Sequence, residues 1–188
     1  MVAAPRLRFS FREYLQVDEA SDVKHEYLDG LILGMAGGTP EHARIAAACG
    51  ASLSQQLAGK RCAVFSEALR VRATETGFAG YPDVTVVCGE LNRDPENENT
   101  VTNPKVVVEV LSPSTAEYDR GDKLRHYQSI PSLEHVVLAA HDAPLIEVWT
   151  RSSDGWSKAS FRAGQRARLD AIESSLDVNE LFRDPLAS

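Results

Sequence analysis

Glu109 stands alone in an apolar run, Val106-Val107-Val108-Glu109-Val110-Leu111. Such a run is the signature of a strand buried on both faces. An ionised carboxylate there costs on the order of several kcal/mol unless something positive pairs with it. Asp83 is placed alike, leading Val84, Val86 and Val87 in Tyr-Pro-Asp-Val-Thr-Val-Val. If the two strands are neighbours, the carboxylates converge, and one pKa rises unless a cation sits between them. Oxygen ligands of this kind suit a hard divalent cation, Mg²⁺ or Mn²⁺. That cation would polarise a phosphate oxygen and activate water for attack at phosphorus. The structural alternatives are a buried ion pair of Glu109 with Lys123 or Arg125, and Asp83 capping a loop amide.

Downstream, Asp119, Lys123 and Tyr127 are spaced by four and share one face of a helix. Turned back over the strand ends, that face would bring Lys123 to the carboxylates and Tyr127 to a substrate. Turned outward, it would carry a surface Asp119–Lys123 pair, with Tyr127 packing. His42 lies in the first turn of an earlier helix, where it is a candidate substrate contact or base, or else a local cap. Arg70 and Arg72 alternate on a strand, and residues 162–169 form a small basic cluster. Both are candidate phosphate contacts, with solvated or structural arginines as the alternative.

These residues need a frame. Phe11, Tyr14 and Leu15 line one face of a short helix, and Asp29-Gly30 between two apolar runs predicts an N-terminal β-hairpin. Thr39, Pro40 and Glu41 predict the start of a helix that stops near Gly59, with Ile45, Ala48, Leu53 and Leu57 toward the core. Residues 62–73 read as one strand and 82–90 as another, and 91–104 as a polar loop. The Glu109 strand follows, then a turn into the helix of Lys123. Strands near 134–142 and 145–160 come next, the latter pair a hairpin, and a short helix closes the chain. Strands and helices alternate irregularly, so the fold class is α/β or α+β with a mixed sheet.

With 188 residues the chain is expected to form a single domain over 1–188, its core about 9–183. No run approaches the roughly 20 apolar residues of a membrane span. No secretory signal opens the sequence. Cys49, Cys62 and Cys88 are odd in number and in no ligand spacing. They are expected as free buried thiols in a reducing cytoplasm. The net charge of −7 excludes nucleic-acid binding through the overall field and restricts it to local basic patches and a metal ion.

Pro82-Asp83 followed by Glu109 resembles the PD-(D/E)xK nuclease pattern. More closely, the chain resembles the Uma2 (DUF820) family of restriction-endonuclease-like proteins. The likeness is carried by "HEYLDGLI", "EHARI", "YPDVTVV", "VVVEVLSPST", "YDRGDKLRHY" and "IEVWTR". It implies a restriction-endonuclease-like α/β domain, with a mixed central sheet flanked by helices and the N-terminal hairpin attached. It implies Mg²⁺- or Mn²⁺-dependent hydrolysis of phosphodiester bonds, with DNA as substrate and a homodimer giving one cut per strand. Asp83, Glu109 and Lys123 would be catalytic; Asp83, Glu109 and Glu26 would hold the metal; His42 and Tyr127 would face the substrate. The parent pattern puts a lysine two residues after the glutamate on the same face. Here that position is Leu111, and Lys123 in the following helix takes its place, as the resemblance implies. A non-catalytic binding or assembly module on the same fold, and a hydrolase of small phosphate esters, are the alternatives.

Overall fold

The computed structural model describes residues 8–35 and 37–186. Helix α1 (Phe11–Glu19) opens on a capping box, in which the Ser10 and Glu13 side chains each accept from the other's backbone N–H. Strands β1 (His25–Leu28) and β2 (Leu31–Gly34) form the expected hairpin. Asp29 and Gly30 both have positive φ, 44° and 89°, as a two-residue hairpin turn requires. Helix α2 (Pro40–Gln56) starts where Thr39 accepts from the His42 N–H.

The segment read as one strand over 62–73 is two. β3 (Cys62–Ser66) and β4 (Arg70–Ala73) belong to different sheets. After β5 (Phe78–Gly80) and β6 (Val84–Cys88), the expected polar loop contains a hairpin, β7 (Arg93–Asp94) and β8 (Asn97–Val101). Its polarity misled because its inward groups are polar: Asp94 is buried against Arg72, and Thr100 against Arg70.

The Glu109 strand is β9 (Val106–Val110). The helix after it has three stretches, α3 (Ala116–Tyr118), a π-helical turn (Asp119–Lys123) and α4 (Leu124–Gln128). Then follow β10 (His135–Ala139), the hairpin β11 (Leu145–Ser152) and β12 (Gly155–Arg162), the ribbon β13 (Arg166–Leu169) and β14 (Ser174–Asp177), and α5 (Val178–Phe182).

One six-stranded sheet runs β2-β1-β5-β4-β8-β7 and the other β12-β11-β10-β9-β6-β3. In the second, β9 is central, parallel to β10 and antiparallel to β6. Its residues alternate between two cores. Val106, Val108 and Val110 pack with α2, α5 and the ribbon. Val107 and Leu111 pack with the first sheet and with Leu124 and Tyr127 of α4. Glu109 therefore points into the second of these cores, under the helix of Lys123. Leu111 on the same face is 2% exposed, so it is a core residue where the parent pattern has its lysine.

The cysteines are a correction. Cys62 and Cys88 lie directly opposite in the β3–β6 register and are joined in a disulfide. Their separation of 26 residues hid a pairing that only the strand register creates. Cys49 is the free, buried thiol, and burial pushes its pKa up to about 12. No helix among the described residues is long and apolar enough to cross a membrane.

Candidate active site

Asp83 precedes β6, whose register pairs Val84 with Val108. Continued by one residue, that register sets Asp83 opposite Glu109. The Val110 N–H donates to Asp83 Oδ2 at 2.7 Å, tying this carboxylate to the Glu109 strand. From α2, His42 Nε2 lies 2.9 Å from Asp83 Oδ1. The hydrogen bond with Asp83 raises the His42 pKa, against partial burial.

Lys123 enters from the π-helical turn. Its Nζ lies 2.8 Å from Glu26 Oε1, 2.9 Å from Glu109 Oε1 and 3.7 Å from Asp119 Oδ1. All four residues are buried. The Tyr127 hydroxyl donates to the same Glu109 Oε1 at 2.6 Å, and the other Glu109 oxygen accepts no hydrogen bond among the described residues. A π turn, with its i→i+5 bonding, is a recurrent device at functional sites. Here it lies where Asp119 and Lys123 both turn inward.

Four carboxylates thus surround one ammonium and one imidazole, and the electrostatics reflect the surplus. Burial pushes the Glu109 pKa up to about 8; Asp83 and Asp119 add to the rise, while Lys123 and Tyr127 oppose it. Burial raises Asp119 as well. For Lys123 burial favours the neutral amine, but Glu109, Glu26 and Asp119 outweigh it and hold the pKa well above the ordinary lysine value. Lys123 is a fixed positive charge, not a proton acceptor.

All six residues singled out in the sequence, Glu26, His42, Asp83, Glu109, Lys123 and Tyr127, meet in this one network. The helix face of Lys123 turns inward onto Glu26 and Glu109, not outward into the alternative surface pair with Asp119. One expectation is corrected. Tyr127 is 1% exposed with its hydroxyl on Glu109, so in this structure it positions the carboxylate instead of facing a substrate. Arg125 is exposed and pairs with Asp122, not with Glu109. Arg70 and Arg72 are taken by Asp18 and Asp94, and Arg166 and Arg168 by Asp177 and Asp170. None of these four is a free phosphate contact.

Two residues of the site were not picked out as such. Asp119 was visible only as a helical neighbour of Lys123. The hydroxyl of Tyr118, on the π turn's N-terminal side, is buried without a hydrogen-bond partner. Burial, then the charge of Glu26, raises its pKa. No spacing rule marks a tyrosine at a π turn.

The chemistry of these donors, hard oxygens with surplus negative charge and an uncommitted oxygen on Glu109, fits a divalent cation. Among the described residues no three His, Cys, Asp or Glu side chains are gathered around one coordination point; the Lys123 ammonium stands between Glu26 and Glu109.

Residues 11–179 match the model of the Uma2 family, whose description is "Putative restriction endonuclease". The chain belongs to the Uma2 family. It is 35% identical over 182 residues to the uncharacterized protein slr1290 of Synechocystis sp., covering 96% of this chain and 95% of that one. A second uncharacterized Synechocystis protein, sll1609, is 28% identical over 170 residues, 90% of this chain and 96% of that one. A crystal structure from Anabaena variabilis, described as a "putative nuclease belonging to DUF820", superposes with a TM-score of 0.72. It is 18% identical, covers 86% of this chain and 91% of that one, and shares the fold. This Uma2 chain thus carries the mixed α/β restriction-endonuclease-like fold, with its buried carboxylates at one end of the central strands.

Proposed function

We propose that this Uma2 protein is a divalent-metal-dependent nuclease that hydrolyses phosphodiester bonds in DNA. It would act as a homodimer, with the whole chain, 1–188, folded as one domain; the cytoplasmic placement drawn from free thiols is not carried over, since Cys62 and Cys88 are joined. The observation that carries the reading is the surplus of buried carboxylates. Glu26, Glu109 and Asp119 come from three separate segments to surround one lysine, and partly buried Asp83 joins them from a fourth, held by the Val110 N–H and paired with His42. Buried charge of this kind seldom adds stability, so its concentration at one point speaks for a function.

Asp83, Glu109 and Glu26 would hold Mg²⁺ or Mn²⁺, which supplies Lewis-acid polarisation of a phosphate oxygen and a water of lowered pKa. The chain's own groups do the rest. Lys123, permanently charged, donates hydrogen bonds to the negative charge that grows on the phosphate oxygens. Tyr127 and the Val110 N–H fix the directions of Glu109 and Asp83. His42 holds the second oxygen of Asp83 from the far side.

Purified protein incubated with plasmid and with labelled oligonucleotides in Mn²⁺ tests this. Wild type should cut, and folded Asp83→Ala and Glu109→Ala variants should not. Equal cutting by the variants would sink the assignment. Calorimetric titration with Mn²⁺ should show binding that Asp83→Ala loses. A second reading, a non-catalytic binding module, is favoured by one observation: Lys123 already bridges Glu26 and Glu109 at ion-pair distance. It predicts neither cutting nor Mn²⁺ binding.

A further inference from the structure

Two strands from Glu109, on the same face of the sheet, the charge balance reverses. The register runs Glu109↔Leu138 and Leu138↔Glu147, so Glu147 of β11 shares the row of Glu109 at roughly 10 Å, two strand spacings. Arg120, next to Asp119 on the π turn, donates from Nε to Glu147 Oε2 at 3.1 Å. Lys158 of β12 reaches Glu147 Oε1 at 3.5 Å. Here two cations share one carboxylate, where the centre has four carboxylates to one lysine.

Their exposure differs in a telling way. The Glu147 side chain is 11% exposed, whereas those of Arg120 and Lys158 are 41% and 44% exposed. The carboxylate lies beneath, and the two cations stand over it at the surface. Lys158 also lies over the ring of Trp149, its direct cross-strand neighbour, 5.8 Å from the centroid. The Trp149 indole N–H is buried without a partner. Elsewhere Arg70, Arg72, Arg166 and Arg168 are each matched by a carboxylate of their own.

We infer that Arg120 and Lys158 form a phosphate-binding flank of the site. They would hold the backbone of a nucleic-acid strand beside the carboxylate centre, with Glu147 as the internal counter-ion that keeps both cations aimed until a phosphate shares them. This rests on the nuclease reading for its choice of polyanion, and it names the residues that hold the strand. It also explains how a chain of net charge −7 engages a polyanion: locally, through a surplus cation, not through its overall field.

The test is binding without cleavage. Fluorescence anisotropy of a labelled duplex and its single strand is followed in EDTA across a salt series. For wild type, log affinity should fall linearly with log salt. Arg120→Gln and Lys158→Gln should each reduce that slope by about one, and the double variant by about two. Glu147→Gln, which removes the competing carboxylate, should bind several-fold tighter. Lys158→Gln changes a half-exposed side chain, so the test survives even if Arg120→Gln folds poorly. An unchanged slope in Lys158→Gln, or no binding of either oligonucleotide at low salt, overturns the inference. Slope changes in a protein that never cuts would retain the flank and refute the nuclease instead.

Discussion

Two buried charge clusters hold this molecule, and they are built on opposite terms. In the first, Asp18 of α1 accepts from Arg70 at 2.6 Å, from the Tyr81 hydroxyl at 2.5 Å and from the His25 N–H at 2.7 Å. One carboxylate meets one guanidinium and its remaining capacity is filled. Burial works against its charge, yet the bonds from Tyr81, Arg70 and His25 prevail and hold its pKa below the usual range. In the second, four carboxylates share Lys123 and His42, and Glu109 is driven up to about 8. The first arrangement is what a fold does with buried charge it keeps for stability. The second is what a fold tolerates when the charge serves something else. They are also adjacent: His25 neighbours Glu26, and Tyr81 lies two residues before Asp83, so the balanced cluster braces the strained one.

The comparison breaks most readily at Asp18. Replacing it by Ala strands a buried Arg70, and urea unfolding should show a loss of about 3–5 kcal/mol. Glu109→Gln should behave otherwise. It removes a carboxylate whose charge is opposed by burial, so the unfolding free energy should stay within about 1 kcal/mol of wild type or rise, while the proposed nuclease activity should be lost. A large loss of stability in Glu109→Gln would make that cluster structural like the first.

The pH dependence of stability should carry opposite signs for the two clusters. Asp18, with its lowered pKa, stabilises fully above the ordinary aspartate range and loses that contribution as pH falls through its folded value. Glu109 does the reverse. Between its ordinary value of 4.5 and about 8, the folded protein keeps a proton that the unfolded chain has released, so stability falls as pH rises through that window. The slope from this one group approaches about 1.4 kcal/mol per pH unit, and Glu109→Gln should remove it. Urea midpoints measured across the window decide this; an identical slope in the variant would assign it to other groups.

A last probe is the wall behind Glu26. A Cβ at Gly80 would fall 2.8 Å from the Phe78 ring and 3.1 Å from Glu26 Oε1. Gly80→Ala should cost about 1–3 kcal/mol through overpacking and weaken Mn²⁺ binding. A variant with wild-type stability and binding would show that this wall yields freely.

Much of this was written locally. The Asp29-Gly30 turn, the Thr39 cap of α2 and the apolar face of α1 are signals within a few residues, and each predicts its element. Glu109 and Asp83 declared themselves because a carboxylate in an apolar strand is conspicuous without any structure. The D-x-x-x-K-x-x-x-Y spacing placed Lys123 and Tyr127 on one face. What the spacing did not contain was the direction of that face. Inward, it converts a surface pair into a buried ion cluster and turns Tyr127 from a substrate contact into a brace for Glu109.

Other features depend on which segments become neighbours. The Cys62–Cys88 bond exists because β3 and β6 pair in one register. The β7–β8 hairpin is polar because Arg70 and Arg72 of β4 are there to receive its side chains. Arg120, Glu147 and Lys158 are distant in sequence and meet through a π turn over a three-strand row. The chain by itself determined which residues were too costly to be there without a purpose. The tertiary structure decided which charges would share a space, because that depends on sheet register and helix packing, and no local pattern encodes either.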